Sequence, residues 1–279
     1  MRARAEWDAA LAMTAALSGV GLATGREIAL FIGQTKRAAW VGVLTASVLY
    51  GLVVRFGARR QPGVEKGGAL AGLCGALRLI LAGLVAALTL RRLGRVGELT
   101  LPLRHGFAFG MAFGLLAALL MERLSTDAHG RIGLGVALAA GLFFAVSALD
   151  VRPARVRLIG AVDFAFEGDA RMAVLLALPY AAMAAVPAVW RLWEMGPGAV
   201  IHPARLAAKC AAILAALLAA ATCALLRGGD AVLAQPMPWV VLSARWGLAG
   251  FWLCALLQAL CAVVTLSAAL GVIRRAICR

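Results

Sequence analysis

The feature that most constrains this chain is a series of eight long apolar segments separated by polar connectors. The segments cover approximately residues 9–32, 38–56, 67–90, 106–121, 132–149, 172–190, 204–226 and 247–273. A helix that crosses the hydrocarbon core of a bilayer needs about 20 predominantly apolar residues, and most of these segments have that length. The pattern therefore predicts an all-α, polytopic membrane bundle of about eight spans.

The composition supports this interpretation and excludes most soluble folds. Of the 279 residues, 63% are hydrophobic and 15% are charged, and the mean hydropathy is +0.91. Soluble domains contain roughly 45–50% apolar and about 25% charged residues. We therefore expect a single transmembrane domain over residues 1–279, located in the cell membrane as a multi-pass integral protein.

The net charge of +15 indicates the kind of partner to expect. The basic residues lie mostly in the connectors, where they meet anionic lipid headgroups, so the lipid bilayer is the expected partner and nucleic acid is not. Alternate connectors hold similar numbers of Lys and Arg, so the charge distribution does not orient the chain. A homo-oligomer and a complex with a second membrane protein are both compatible with this composition.

The first apolar segment is unusual for a membrane helix. It contains three closely spaced glycines, Gly19, Gly21 and Gly25, followed directly by Arg26 and Glu27. Glycine lowers the cost of unwinding a helix, and ionisable residues inside a span usually face a cavity or a partner. An unwound segment frees backbone groups that bind ions and solutes in secondary transporters. The alternative is a glycine-packed helix whose two charged side chains extend to the interface.

The same residues carry a resemblance to a known family. The segment Gly19–Ile28, followed by Phe31 and Gly33–Gln34, resembles the first helix of the YkvI-type membrane proteins, whose signature is close to G-x-G-[FL]-A-[ST]-G-Q-E-I-x-x-F-F. These proteins are similar to amino acid–polyamine–cation transporters of the LeuT fold. The resemblance implies a binding site at a broken first helix. Its residues here are Gly19, Gly21, Ala23, Thr24, Gly25 and Glu27.

The resemblance also implies contributions from the sixth and eighth spans. Pro179 and Pro187 flank Tyr180 where the family has a second broken helix, and each proline removes a backbone donor; the alternative is a merely kinked helix. Thr265 and Ser267 lie where the fold supplies hydroxyls to a sodium site shared with the first helix. The alternative for these hydroxyls is a bond to their own backbone.

One departure from the LeuT fold concerns the number of helices. That fold has ten core helices in two inverted repeats of five, whereas this chain has five spans followed by three, which predicts a reduced 5+3 arrangement. The resemblance implies that the connector Arg227–Trp246 takes the place of the outer re-entrant loop between the seventh and eighth helices of that fold. Arg78, in the third span, is a candidate partner for the Glu27 carboxylate.

These observations predict a secondary transporter, or a solute-binding membrane protein, for a small solute of the amino acid or amine class. Coupling to Na⁺ through Thr265, or to H⁺ through Glu27, is open, and no other cofactor is expected. The alternative is a non-transporting structural or accessory membrane protein that keeps the fold. An enzyme is not expected, since no nucleophile–base pair and no metal-ligand spacing is present in the sequence.

Overall fold

The computed structural model describes residues 2–59, 69–101, 103–124, 126–150, 167–195 and 202–277. Within these residues the chain is almost entirely helical and contains no β-strand. The α-helices are α1 (Arg2–Gly21), α2 (Arg26–Phe31), α3 (Ala39–Arg59), α4 (Ala69–Thr100), α5 (Gly106–Glu122), α6 (Thr126–Leu149), α7 (Ala170–Met195), α8 (Pro203–Gly228), α9 (Asp230–Leu233), α10 (Pro238–Ser243) and α11 (Gly247–Ile277).

Each predicted apolar segment corresponds to one long helix in the described part of the chain. These helices are α1, α3, α4, α5, α6, α7, α8 and α11, with α2 continuing the first segment after a break. The main difference is α4, which continues to Thr100, well beyond the end of its apolar segment at residue 90. This extension places three further arginines, Arg91, Arg92 and Arg95, on a regular helix.

Several helices have the length and composition of membrane spans. Among the described residues, five are long and apolar enough to cross a bilayer, within 33–59, 131–149, 170–195, 203–228 and 238–277, and the shorter α5 is also apolar. Large apolar side chains such as Ile80, Phe113 and Leu142 are exposed on the outer faces of α4, α5 and α6. In water such faces would be costly, so this arrangement suits a membrane-embedded protein.

The first helix occupies the centre of the bundle. It packs against α6, α7, α8 and α11. Met13, Ala16 and Leu17 on α1 are completely buried. Small residues allow close approach of neighbouring helices, since membrane helices associate mainly through van der Waals packing. The core of the protein therefore surrounds the helix that carries the predicted break.

The prediction of an interruption in the first span is confirmed. Helix α1 ends at Gly21, residues 22–25 form a turn, and α2 begins at Arg26. The later connector Arg227–Trp246 contains the short helices α9 and α10. It contributes Trp239 to the break, as described below.

The prediction of a second broken helix is wrong. Helix α7 is continuous from Ala170 to Met195, although Pro179 and Pro187 both lie inside it. A proline removes one hydrogen bond and bends a helix, but packed membrane helices tolerate it when their neighbours hold the segment in place. Helix α7 is held in this way between α1 and α3, and Ala184 and Pro187 are buried.

Candidate functional site

The turn between α1 and α2 depends on one glycine conformation. Gly25 has φ 76° and ψ −11°, in the left-handed region that favours glycine. A Cβ added to Gly25 would lie 2.8 Å from the indole ring of Trp239 on α10. Both the backbone angle and the close ring therefore require glycine at this position.

The side chains of Thr24 and Glu27 form hydrogen bonds at the start of α2. The Thr24 hydroxyl donates a hydrogen bond to the Glu27 carboxylate at 2.7 Å. It also accepts one from the backbone N–H of Arg26 at 3.2 Å. These contacts satisfy a backbone donor that the break leaves without a helical partner.

Glu27 forms an ion pair with Arg92 of α4. Only 12% of the Glu27 side chain and 16% of the Arg92 side chain are exposed. The Arg92 guanidinium also donates to the carbonyl of Gly19, near the end of α1. The prediction that Arg78 pairs with Glu27 is therefore wrong, because Arg78 lies much nearer the start of α4 and its guanidinium stacks 4.6 Å from the ring of Trp193.

Thr265 joins α11 to the end of α1. Its hydroxyl accepts a hydrogen bond from the Gly19 N–H at 2.9 Å and donates to the Ala16 carbonyl at 2.5 Å. The helices approach so closely that a Cβ on Gly19 would lie 2.5 Å from both the Thr265 hydroxyl and the Cys261 carbonyl. Thr265 thus lies beside the break, as predicted, and is bonded to the backbone of α1.

Trp239 fills the other side of the break. It is 1% exposed, and its indole N–H donates to the Leu22 carbonyl at 2.8 Å. Its ring packs against Phe144, with centroids 4.8 Å apart. The carbonyls of Gly19 and Leu22, beside the break, therefore both accept protein hydrogen bonds.

Arg26 connects the break to the segment after α9. Its guanidinium lies 3.2 Å from the Ala234 carbonyl and 3.3 Å from the Gln235 carbonyl. These carbonyls lie at and just beyond the C-terminal end of α9, where such groups lack helical partners and attract cations. The first helix is consequently tied to α4, α10, α11 and the α9–α10 connection.

A cavity of about 240 Å³ opens at this junction. Its charged lining comes from α2 and from the end of α4: Arg26, Glu27, Arg91, Arg92 and Arg95. The remaining lining is Thr24, Leu88, Pro236 and Met237. Pockets for drug-sized ligands have volumes of about 300–1,000 Å³, so this cavity suits a smaller solute.

A second, much smaller cavity is lined in part by Trp239. It measures about 10 Å³ and is lined by apolar and aromatic side chains together with Gln258 of α11. Gln258 is 3% exposed, and its amide oxygen has no hydrogen-bond partner within the described part of the chain. A space of this size corresponds to about one water molecule and does not admit a solute.

The structure brings most of the predicted site residues together. Gly19, Gly21, Ala23, Thr24, Gly25, Glu27 and Thr265 all lie at or beside the break. Ser267 lines neither of the two cavities, and its hydroxyl donates to the Val264 carbonyl on its own helix at 2.8 Å. Tyr180 is fully buried within α7 and lines neither of the two cavities.

Sequence reasoning missed the residues that complete the site. Arg92 supplies the counter-charge of Glu27, Trp239 covers the break, and Arg91 and Arg95 line the cavity. The available signal was the row of arginines directly after the third apolar segment. In the part of the chain that the structure describes, His, Cys, Asp and Glu form no group that could hold a metal ion.

Fold and site together define an all-helical protein, suited to a membrane, whose first helix is broken beside a basic cavity. No protein-family model matches the chain, and no curated protein matches it. The resemblance to the YkvI-type proteins stays a prediction.

Proposed function

We propose that the protein is a secondary transporter, or a solute-binding membrane protein, for a small solute that binds in the cavity beside the broken first helix. The observation that carries this proposal is the cavity itself. It joins charged side chains of α2 and α4 at the point where the central helix is interrupted. Discontinuous helices of this kind form solute and ion sites in known secondary transporters.

The hydrogen bonds around the break support a role in coupling. Helix α1 reaches α4 through Arg92, α10 through Trp239 and α11 through Thr265. A solute that changes the position of the Arg92 or Arg26 side chain would alter contacts on several helices at once. A ligand shifts a conformational equilibrium through such differences in contact.

The hydrogen bonds at the break favour a proton over a sodium ion as the coupling ion. A sodium ion at the predicted site would have to displace the donors that now occupy the Gly19 and Leu22 carbonyls. It would also have to replace the hydrogen bonds of Thr265. Glu27, in contrast, is an ionisable group that lines the cavity and pairs with Arg92. The LeuT-like helix arrangement remains part of the proposal.

The proposal is tested by thermal-shift screening followed by transport. Purified protein is heated with a panel of amino acids, amines and small organic acids, with and without sodium and at several pH values. Solutes that stabilise the protein are then tested for uptake into proteoliposomes under a sodium gradient or a pH gradient. We expect Glu27→Gln to abolish a proton-driven uptake, and Glu122→Gln, at an ion pair distant from the cavity, to retain it.

A second candidate function has one observation in its favour. The Gly19 and Leu22 carbonyls and the Thr265 hydroxyl all have protein partners, as expected of a break that is purely structural. A non-transporting accessory protein would show no solute-dependent stabilisation and no uptake in the same experiments. Stabilisation by a solute that is lost when cavity residues are changed would argue against this candidate.

A further inference from the structure

The cavity beside the break carries an excess of positive charge. Four arginines and one glutamate line it, a formal excess of three positive charges. Two of the arginines already have protein partners, because Arg92 pairs with Glu27 and Arg26 donates to backbone carbonyls. The excess charge is therefore that of Arg26, Arg91 and Arg95. Of these, Arg91 and Arg95 have no hydrogen-bond or ion-pair partner among the described residues.

Arg91 and Arg95 lie one turn apart on α4 and share a helix face with Leu88 and Arg92. Both are exposed, and neither forms an ion pair or a hydrogen bond within the described residues. Glu98, one turn beyond Arg95, makes no ion pair in that part of the chain either. Like charges at this spacing destabilise a helix, so this arrangement has a cost that a bound counter-charge would remove.

We infer that the cavity binds an anionic group, a carboxylate or a phosphate, through Arg91 and Arg95. The inference rests on the proposed function and narrows its solute class, because it retains amino acids and organic acids and excludes simple amines. A guanidinium group presents paired donors that match the oxygens of a carboxylate or phosphate. Arg26, held in place by backbone carbonyls, adds to the positive potential without having to move.

The anionic group has two sources that share this chemistry: a soluble solute and the headgroup of an anionic lipid. A lipid headgroup could reach the cavity, because the lining residues Arg91, Arg95 and Pro236 are exposed. The experiment separates the two sources by changing the lipid and the soluble anion independently.

The protein is placed in nanodiscs of phosphatidylcholine, and its unfolding temperature is measured with increasing succinate or inorganic phosphate. Chloride at equal ionic strength controls for screening, and putrescine is the cationic probe. The same measurements are repeated in nanodiscs that contain phosphatidylglycerol. The variants are Arg91→Gln, Arg95→Gln and the charge-retaining Arg95→Lys. The matched control is Arg171→Gln, an exposed arginine at the start of α7, which lies outside the cavity lining.

We expect at least one soluble anion, or phosphatidylglycerol, to stabilise the wild-type protein beyond chloride. Each of the Arg91→Gln and Arg95→Gln variants loses one charge-assisted hydrogen bond, which should weaken the apparent affinity for the anion by about tenfold. The decrease should be smaller in Arg95→Lys, and Arg171→Gln should bind like the wild-type protein. Phosphatidylglycerol that stabilises the protein and removes the succinate effect would identify the lipid as the source. Stabilisation by putrescine, or anion binding that is unchanged in both Gln variants, would overturn the inference.

Uptake measurements separate this inference from the proposed function. If succinate binds in an arginine-dependent way but no probe enters proteoliposomes, the anion site stands and transport fails. If putrescine or a neutral amino acid enters equally well with the wild-type protein and with the Arg91→Gln and Arg95→Gln variants, transport stands and the anion site is wrong. The Gln variants change exposed side chains, so their unfolding temperature without ligand shows directly whether they fold.

Discussion

The most informative single change is Glu27→Gln, which keeps the shape of the side chain and removes its charge. In the structure this carboxylate accepts a hydrogen bond from the Thr24 hydroxyl and forms an ion pair with Arg92. The variant retains one acceptor for Thr24 but leaves the largely buried Arg92 guanidinium without a counter-charge. We therefore expect a clear loss of stability that originates at Arg92.

The expected size of this loss follows from the burial of the pair. Breaking a fully buried ion pair costs about 3–5 kcal/mol, and breaking an exposed one costs about 0–1 kcal/mol. Since 12% and 16% of the two side chains are exposed, the pair lies nearer the buried limit. We expect a loss of about 2–3 kcal/mol, or a decrease in the unfolding temperature of roughly 5–10 °C.

The assay is thermal unfolding of purified protein in one detergent at fixed pH and ionic strength. The control is Glu122→Gln, whose carboxylate accepts from Arg274 at 3.0 Å while 63% of the Arg274 side chain is exposed. That variant should lose at most about 1 kcal/mol. Equal losses in the two variants would refute the reasoning. So would a Glu27→Gln/Arg92→Gln double variant whose loss equals the sum of the single losses, because paired residues must show coupling.

Three further changes test other parts of the site. Thr265→Val keeps the shape of the side chain but leaves the Gly19 N–H without its acceptor. We therefore expect the unfolding free energy to fall by about 1–3 kcal/mol, measured by thermal unfolding. If sodium stabilises the wild-type protein specifically and Thr265→Val removes that effect, the result would instead support a sodium site. Gly25→Ala should cost at least about 1 kcal/mol because of its positive φ, whereas Gly75→Ala, with open space around it in α4, should be neutral or stabilising. Pro179→Ala should leave the unfolding temperature unchanged or raise it, since α7 is already continuous. The variant should also keep any stabilisation by a solute, and loss of that stabilisation would show that the proline is needed.

The positions of the long helices could be predicted from the sequence, because a span needs a local run of apolar residues. The eight segments correspond to eight long helices in the described residues. The break in the first helix was also a local property, since Gly21 and Gly25 weaken the helix whatever surrounds them. The hydroxyl of Thr265 was found through the resemblance, and the structure places it beside Gly19.

What the tertiary structure decided is which groups meet across helices. The partner of Glu27 is Arg92 rather than Arg78, because α4 continues beyond its apolar segment and carries its later arginines to the level of the break. The two prolines of α7 do not interrupt the helix. Each proline removes one backbone hydrogen bond, and the packing of α7 against α1 and α3 outweighs that loss. Trp239 reaches the Leu22 carbonyl from a connector more than two hundred residues away. These outcomes depend on the relative depth and rotation of packed helices, and hydrophobic patterning along one chain segment contains neither quantity.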